Sequence, residues 1–158
     1  MYGKAEASRL RQEFWTALGQ YMRPVPSAEG RPVSWTNYKT GLRGVYFRLH
    51  ADQRRARISI ELTQADPNVR TLFFEQFQAL KTLLHATLNE PWTWEADATD
   101  DTDAHGLPLA RIYREISGVN VFERASWPAL ISFFKPRLVA LDAFWADAQF
   151  AFEELRQF

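Results

Sequence analysis

The stretch from Gly44 to Thr63 reads GVYFRLHADQRRARISIELT and contains two segments in which apolar and polar residues alternate. In a β-strand the side chains alternate between the two faces, so every second residue points to the same face. Gly44 to His50 and Ala56 to Thr63 are therefore predicted strands with one buried face. The polar segment Asp52 to Arg55 between them predicts the turn of a hairpin. The apolar positions that support this prediction are Val45, Phe47, Leu49, Ile58, Ile60 and Leu62.

Helical spacing of apolar residues flanks the hairpin on both sides. Asp66-Pro67 predicts the beginning of a helix, because aspartate caps free N–H groups and proline fits the first helical position. Pro136 predicts an interruption, because a proline inside a helix removes a backbone hydrogen bond. The predicted helices are Lys4 to Met22, Asp66 to Asn89, a short one from Ser126 to Pro136 and a last one from Arg137 to Arg156.

Three further strands are predicted at Val33 to Tyr38, Trp92 to Ala96 and Leu109 to Ile116. The elements then follow the order α-β-β-β-α-β-β-α-α. This order is typical of an α+β fold in which helices pack on a mainly antiparallel sheet, here of about five strands. We find no internal repeat and no linker, so residues 1–158 are predicted to form a single domain.

The composition excludes several classes of protein. The chain has no cysteine, which excludes disulfides, a thiolate metal site and a cysteine nucleophile. An apolar content of 46% excludes a disordered chain. Apolar runs are far shorter than the roughly 18 residues that a membrane span needs, and the first residues do not resemble a secretory signal. We therefore expect a cytoplasmic protein with no membrane partner.

Charge is balanced over the whole chain but divided along it. Residues 1–79 contain 12 basic and 7 acidic residues, a net charge of +5, whereas residues 80–158 contain 7 and 12, a net charge of −5. Such a division can attract a second copy of the chain, and it cancels if the two halves interleave in the fold. Together with the many aromatic residues, this division leads us to expect a homodimer.

Aromatic and basic residues interleave between Trp35 and Arg57. Aromatic rings can stack on nucleobases while arginine and lysine contact phosphates, so this region is a candidate surface for nucleic acid. The alternative is that Trp35 and Tyr38 pack beneath the first or last helix. The candidate binding residues are Trp35, Tyr38, Lys39, Arg43, Tyr46, Arg48, Arg54, Arg55 and Arg57.

The first six predicted elements have the order found in the core of PD-(D/E)XK nucleases, whose strand carboxylates hold Mg²⁺. Asp52 and Glu61 are the matching carboxylates, and they are weak catalytic candidates. Thr63 stands where these enzymes have a lysine. A nuclease site would require the two carboxylates to converge. The alternative is that Glu61 pairs with Arg43, Arg48 or Lys39 on the polar face of the sheet.

The acidic segment from Asp97 to Gly106 partly follows the spacing of a calcium-binding EF-hand loop. Ile112 stands where that loop needs a glutamate, so a solvated hairpin loop is the favoured interpretation. The three histidines share no helical or strand repeat. The sequence therefore predicts no metal site and no cofactor.

Four segments of the chain resemble a bacterial family, domain-of-unknown-function family 4268. They are Glu6 to Trp15, Trp35 to Gly41, Leu72 to Phe77 and Trp127 to Arg137. The resemblance covers nearly the whole chain and carries no assigned activity or catalytic residue. Some members form the C-terminal part of longer proteins with a nuclease-like N-terminal region, which implies an association with DNA metabolism or defence.

The absence of any complete catalytic motif favours a non-catalytic binding or assembly domain that forms homo-oligomers. A nucleic-acid-binding domain on a nuclease-like scaffold is the alternative, and a divergent metal-dependent nuclease is the third hypothesis.

Overall fold

The hairpin predicted from the alternating residues is present in the computed structural model, which describes residues 3–98 and 106–158. Strands β1 (Val45–Ala51) and β2 (Arg55–Leu62) are antiparallel and pair residue for residue without a bulge. Asp52 closes the turn, because its Oδ1 atom accepts hydrogen bonds of 2.8 and 3.0 Å from the backbone N–H groups of Arg54 and Arg55.

The sheet has four strands, and the last of them in the chain occupies an interior position. Strands β3 (Thr93–Glu95) and β4 (Ala110–Ser117) complete an antiparallel sheet with the order β1-β2-β4-β3. The α+β class predicted from the sequence is therefore confirmed, with four strands in place of five.

The prediction of a strand at Val33 to Tyr38 was wrong. The structure has a short 3₁₀ helix there, Trp35–Asn37. The indole of Trp35 is buried, and its Nε1 donates to the Val25 carbonyl at 3.2 Å. The Tyr38 ring stacks on Phe47 with ring centroids 5.1 Å apart. This segment thus packs its side chains against the core and does not add a strand to the sheet.

Helices cover one face of the sheet. Helix α1 (Lys4–Met22) was predicted with these bounds. The long helix predicted from Asp66 is instead divided into α2 (Pro67–Ala79) and α3 (Lys81–Leu88). The division occurs at Leu80, whose backbone angles (φ −100°, ψ 11°) depart from helical values.

Helix α4 (Trp127–Ala148) continues through Pro136, so the predicted break at this residue was wrong. A proline inside a helix leaves a carbonyl in the preceding turn without its usual N–H donor. The carbonyl affected by Pro136 is that of Ser132, and the Nη1 atom of Arg137 donates to the next carbonyl, that of Phe133, at 3.0 Å. A 3₁₀ helix, Gln149–Gln157, follows α4 where an α-helix was expected.

The core lies between the helices and the apolar face of the sheet. Aromatic rings dominate it, and Phe77 and Phe152 approach to 4.7 Å between ring centroids. The opposite face of the sheet is polar. Among the described residues, no helix has the length and apolar character needed to cross a membrane.

Candidate interaction surface

The polar face of the sheet, called here the outer face, is formed by the residues that alternate with the core positions. The register aligns Tyr46 with Glu61 on the neighbouring strand, and Glu61 in turn with Arg111 on the next. Four residues singled out in the sequence, Tyr46, Arg48, Arg57 and Glu61, therefore lie on one face. The outer face consists of Tyr46, Arg48, His50, Arg55, Arg57, Ser59, Glu61, Thr93, Glu95, Arg111, Tyr113 and Glu115.

Charges of opposite sign alternate across the outer face. The Arg48 Nε and Glu61 Oε1 atoms lie 4.0 Å apart, and Arg57 Nη1 lies 3.7 Å from Glu115 Oε1. The Arg111 Nη2 atom donates to a Glu95 carboxylate oxygen at 2.9 Å. A phosphate backbone would have to compete with these carboxylates for the same arginines, so this face does not favour nucleic acid.

Arginine side chains also cover the tyrosine rings of the outer face. The guanidinium carbon of Arg48 lies 4.2 Å from the ring centroid of Tyr46, and that of Arg111 lies 4.7 Å from Tyr113. Burial, followed by the charge of Glu95, raises the pKa of the Tyr113 hydroxyl. The ring faces that would stack on bases are thus already in contact with cations.

Trp35 and Tyr38, proposed from the sequence as binding residues, lie on the opposite side of the sheet. The Tyr38 hydroxyl donates to Asp142 Oδ1 at 2.5 Å, and the backbone N–H of Ala28 donates to Asp142 Oδ2 at 2.6 Å. Burial and this contact with Asp142 raise the pKa of Tyr38 well above its usual value. Both aromatic side chains belong to the packing of the core, as the alternative interpretation held.

Of the remaining basic candidates, Arg55 shares the outer face with Arg48 and Arg57, whereas Arg54, Arg43 and Lys39 do not. Arg55 is on the outer face, 3.8 Å from Glu115, and Arg54 lies in the β1–β2 turn. Arg43 lies at the other end of the hairpin, where its carbonyl accepts from Gln64 Nε2 at 3.4 Å. Lys39 is exposed in the segment that precedes β1.

Asp52 and Glu61, the weak catalytic candidates, do not converge. Asp52 lies in the turn beside Arg55, and Glu61 is six residues farther along β2, which corresponds to about 20 Å. Within residues 3–98 and 106–158, no group of three or more potential metal ligands is present. Residues 99–105 of the acidic segment considered for calcium lie outside the described residues.

The Asp52 carboxylate is held by its own turn. Partial burial raises its pKa, but hydrogen bonds from the Arg54 N–H, from His50 and from the Arg55 N–H outweigh this effect and lower the pKa to about 2. The His50 Nε2 atom lies 3.0 Å from Asp52 Oδ2. These contacts assign Asp52 a structural role at the turn.

The free side of β1 is a feature that the sequence did not predict. In an antiparallel pair, successive residues direct their backbone groups alternately toward the partner strand and away from it. Thr63 N donates to the Gly44 carbonyl and Asp52 N to the Arg55 carbonyl, so the even-numbered residues of β1 face β2. The backbone groups of Val45, Phe47, Leu49 and Ala51 therefore face away from the sheet.

Val45 has partners within the chain, because its N–H donates to Leu42 and its carbonyl accepts from Thr40 Oγ1 at 2.7 Å. The outward backbone groups of the other three residues make no hydrogen bond within the described part of the chain. We call these groups, those of Phe47, Leu49 and Ala51, the open edge.

Natural sheets usually protect an edge strand with proline, charged side chains, a bulge, short length or a covering helix or loop, and β1 carries one charged residue of this kind, Arg48. The seven residues of β1 contain no proline or lysine and pair with β2 without a bulge. The opposite edge strand, β3, is only three residues long. Of the three open-edge residues, Phe47 and Ala51 are only 6% and 2% exposed, and Leu49 is partly exposed. The unpaired backbone groups of β1 are nevertheless groups that another strand could pair with.

Residues 10–149 match the model of a family described as Domain of unknown function (DUF4268). The chain belongs to this family. The match confirms the resemblance seen in the sequence, and it includes all four strands, so the outer face and the open edge both lie within the DUF4268 region. Comparisons with curated proteins and with solved structures gave no match.

Proposed function

We propose that this DUF4268 chain is a non-catalytic assembly domain that forms a homodimer by antiparallel pairing of two β1 strands. The backbone groups of the open edge, which have no hydrogen-bond partner within the described residues, are the observation that supports this proposal. Strand addition gives each outward N–H and C=O group a main-chain partner and joins two four-stranded sheets into one of eight strands.

The open edge has the symmetry that a two-fold dimer needs. Phe47, Leu49 and Ala51 are spaced evenly about Leu49, while Val45 is already satisfied by its own chain. A two-fold axis at Leu49 pairs this residue with its own copy and pairs Phe47 with Ala51 of the second copy. All of the open groups then find partners, and a large side chain faces a small one on the core side of the joined sheet.

Charges on the outer face fit the same register. Arg48 faces His50 of the second copy across the axis, with Asp52 of that copy one step farther along the strand. Asp52 has a pKa of about 2 and is therefore ionised at neutral pH. In this register Arg48 of one copy would approach Asp52 of the other, whose carboxylate already accepts hydrogen bonds within its own turn.

A Leu49→Pro variant tests the proposal. The N–H of Leu49 faces away from β2, so proline at this position breaks no hydrogen bond of the hairpin but removes the central donor of the open edge. We expect a dimer for the wild-type protein and a monomer for Leu49→Pro in sedimentation velocity experiments over a hundredfold range of concentration.

Leu49→Val is the matched control, because it keeps the backbone N–H and is expected to remain a dimer. Circular dichroism would verify that all three proteins are folded. A wild-type protein that stays monomeric at about 0.5 mM, or a folded Leu49→Pro variant that still dimerises, would contradict the proposal.

A further inference from the structure

A cleft of about 380 Å³ lies between α1 and the segment that leads to the 3₁₀ helix at Trp35. One wall is the flank of α1 from Gln12 to Arg23, and the other is the backbone from Pro32 to Thr36. Trp15 and Trp35 also line it. The size is within the range of about 300–1,000 Å³ that is typical of ligand sites.

The α1 wall carries polar groups without partners. The side chains of Gln12, Thr16, Gln20 and Arg23 make no hydrogen bond or ion pair within the described part of the chain. They follow one flank of the helix over three turns, about 16 Å. Gly19 lies among them at a position open to the cleft, because a Cβ atom added there would meet nothing within 4 Å.

The opposite wall is extended backbone that belongs to no sheet. Ser34 has φ −86° and ψ 103°, and the N–H and C=O groups of Val33 have no hydrogen bond within the described residues. The Trp35 indole at the end of this wall is fixed by its bond to the Val25 carbonyl. Val33 therefore has a main-chain donor and acceptor without partners, on the wall opposite the amides of Gln12 and Gln20.

Charge at the cleft is positive. Arg23 lines one end, Arg31 is adjacent to Pro32, and the described residues that line the cleft include no carboxylate. An anionic group at this end would meet a cation with no competing acid.

We infer that this cleft binds an extended acidic peptide segment of another protein. Its main chain pairs with Val33 on one side and with the amides of Gln12 and Gln20 on the other, and its carboxylate contacts Arg23. At about 3.3 Å a residue, the 16 Å wall accommodates about five residues. This site is separate from the open edge, and its occupation does not require the homodimer.

The probe is the peptide acetyl-Val-Thr-Val-Glu-Glu-amide, titrated into the ¹⁵N-labelled full chain and followed by NMR. We expect saturable shifts at the Gly19 amide and the Trp35 indole N–H. The lysine analogue, acetyl-Val-Thr-Val-Lys-Lys-amide, should bind at least tenfold more weakly.

Two variants locate the site. Gly19→Leu places a bulky side chain in the cleft on a helix that tolerates leucine well, and Arg23→Glu reverses the charge, so each is expected to weaken binding at least tenfold. Arg9→Glu on α1, which disrupts only the exposed pair with Glu13, is the control and should bind as the wild type does.

The inference would be overturned by no saturation at 5 mM acidic peptide, by equal binding of the lysine peptide, or by unchanged binding to folded Gly19→Leu and Arg23→Glu. Shifts confined to Phe47, Leu49 and Ala51 would likewise overturn it, since they would place the peptide on the open edge.

Discussion

At the scale of single residues, Asp52 shows how a side chain that resembled a catalytic carboxylate can be fully engaged in a turn. Its Oδ1 atom accepts two backbone N–H bonds, and Oδ2 lies 3.0 Å from His50. These bonds favour the charged form, which is why its pKa is lowered to about 2.

The lowered pKa of Asp52 predicts acid sensitivity. Its contribution to stability is fully present above the usual pKa of about 3.9 and is lost as the pH falls toward 2. Asp52→Asn keeps the acceptor for the turn but removes the charge. Between pH 5 and pH 2 the unfolding free energy of both proteins is expected to fall. We expect the fall to be larger for the wild type than for Asp52→Asn, by on the order of 2 kcal/mol.

Urea denaturation at several pH values would measure this difference. Asp147→Asn, a change at an exposed residue, is the control and should retain the acid sensitivity of the wild type. Parallel pH profiles for the wild type and Asp52→Asn would refute the role assigned to this carboxylate.

At the scale of elements, an ion pair links α4 to the loop that follows α3. The Nε and Nη2 atoms of Arg137 donate to the two carboxylate oxygens of Glu90 at 2.9 and 2.8 Å. Trp92 Nε1 donates to the same carboxylate at 2.8 Å. The side chains of Arg137 and Glu90 are only 21% and 19% exposed, so solvent weakens this pair less than a surface pair.

Glu90→Gln removes the charge but keeps the size of the side chain. We expect it to lower the unfolding free energy by about 1–2 kcal/mol, because Arg137 is then left half-buried without a counter-ion. Glu13→Gln, at the exposed pairs with Arg9 and Arg124, should cost less than about 0.5 kcal/mol. Chemical denaturation at pH 7 measures both, and equal losses in the two variants would contradict this account.

Elements that are determined by the residue pattern within their own segment could be predicted from the sequence. The β1–β2 hairpin follows from residues that alternate within the hairpin itself, and its register then placed Tyr46, Arg48, Arg57 and Glu61 on one face. Val33 to Tyr38 has a similar content of β-forming residues, but burial of the Trp35 indole overrides that preference.

The parts that depend on distant segments could not be predicted. Glu115 neutralises Arg57 only because β4 lies beside β2, and no pattern within either strand indicates that neighbour. The open edge has the same origin, since the sequence of β1 does not reveal that its second side remains without a strand.

At the scale of the whole molecule, the division of charge along the sequence cancels because the two halves interleave. Arg57 of the basic half pairs with Glu115 of the acidic half, and Arg124 of the acidic half pairs with Glu13. The fold thus removes the charge asymmetry that suggested attraction between copies, and the proposal of a homodimer depends on the open edge alone.

The Tyr38 hydroxyl donates to Asp142, 104 residues away in the sequence, and so joins the segment before β1 to α4. Asp142 is only 4% exposed, so loss of this donor leaves a buried acceptor incompletely satisfied. We expect Tyr38→Phe to lower the unfolding free energy by about 1–3 kcal/mol, as measured by urea denaturation at pH 7.

Tyr21→Phe is the matched control, since that ring is 59% exposed, and it should change stability by less than about 0.5 kcal/mol. If the Tyr38→Phe variant had the same unfolding free energy as the wild type, the hydrogen bond from the Ala28 N–H would be sufficient for Asp142.

The interior position of β4 has a consequence for synthesis of the chain. While the ribosome is still adding residues up to Ser117, both sides of the nascent hairpin are without a neighbour, because β2 receives its second partner only from β4. During this interval two unpaired strand edges are exposed on one short chain, which is a condition that promotes aggregation. Newly made chains of this protein are therefore expected to depend on chaperones until β4 has emerged.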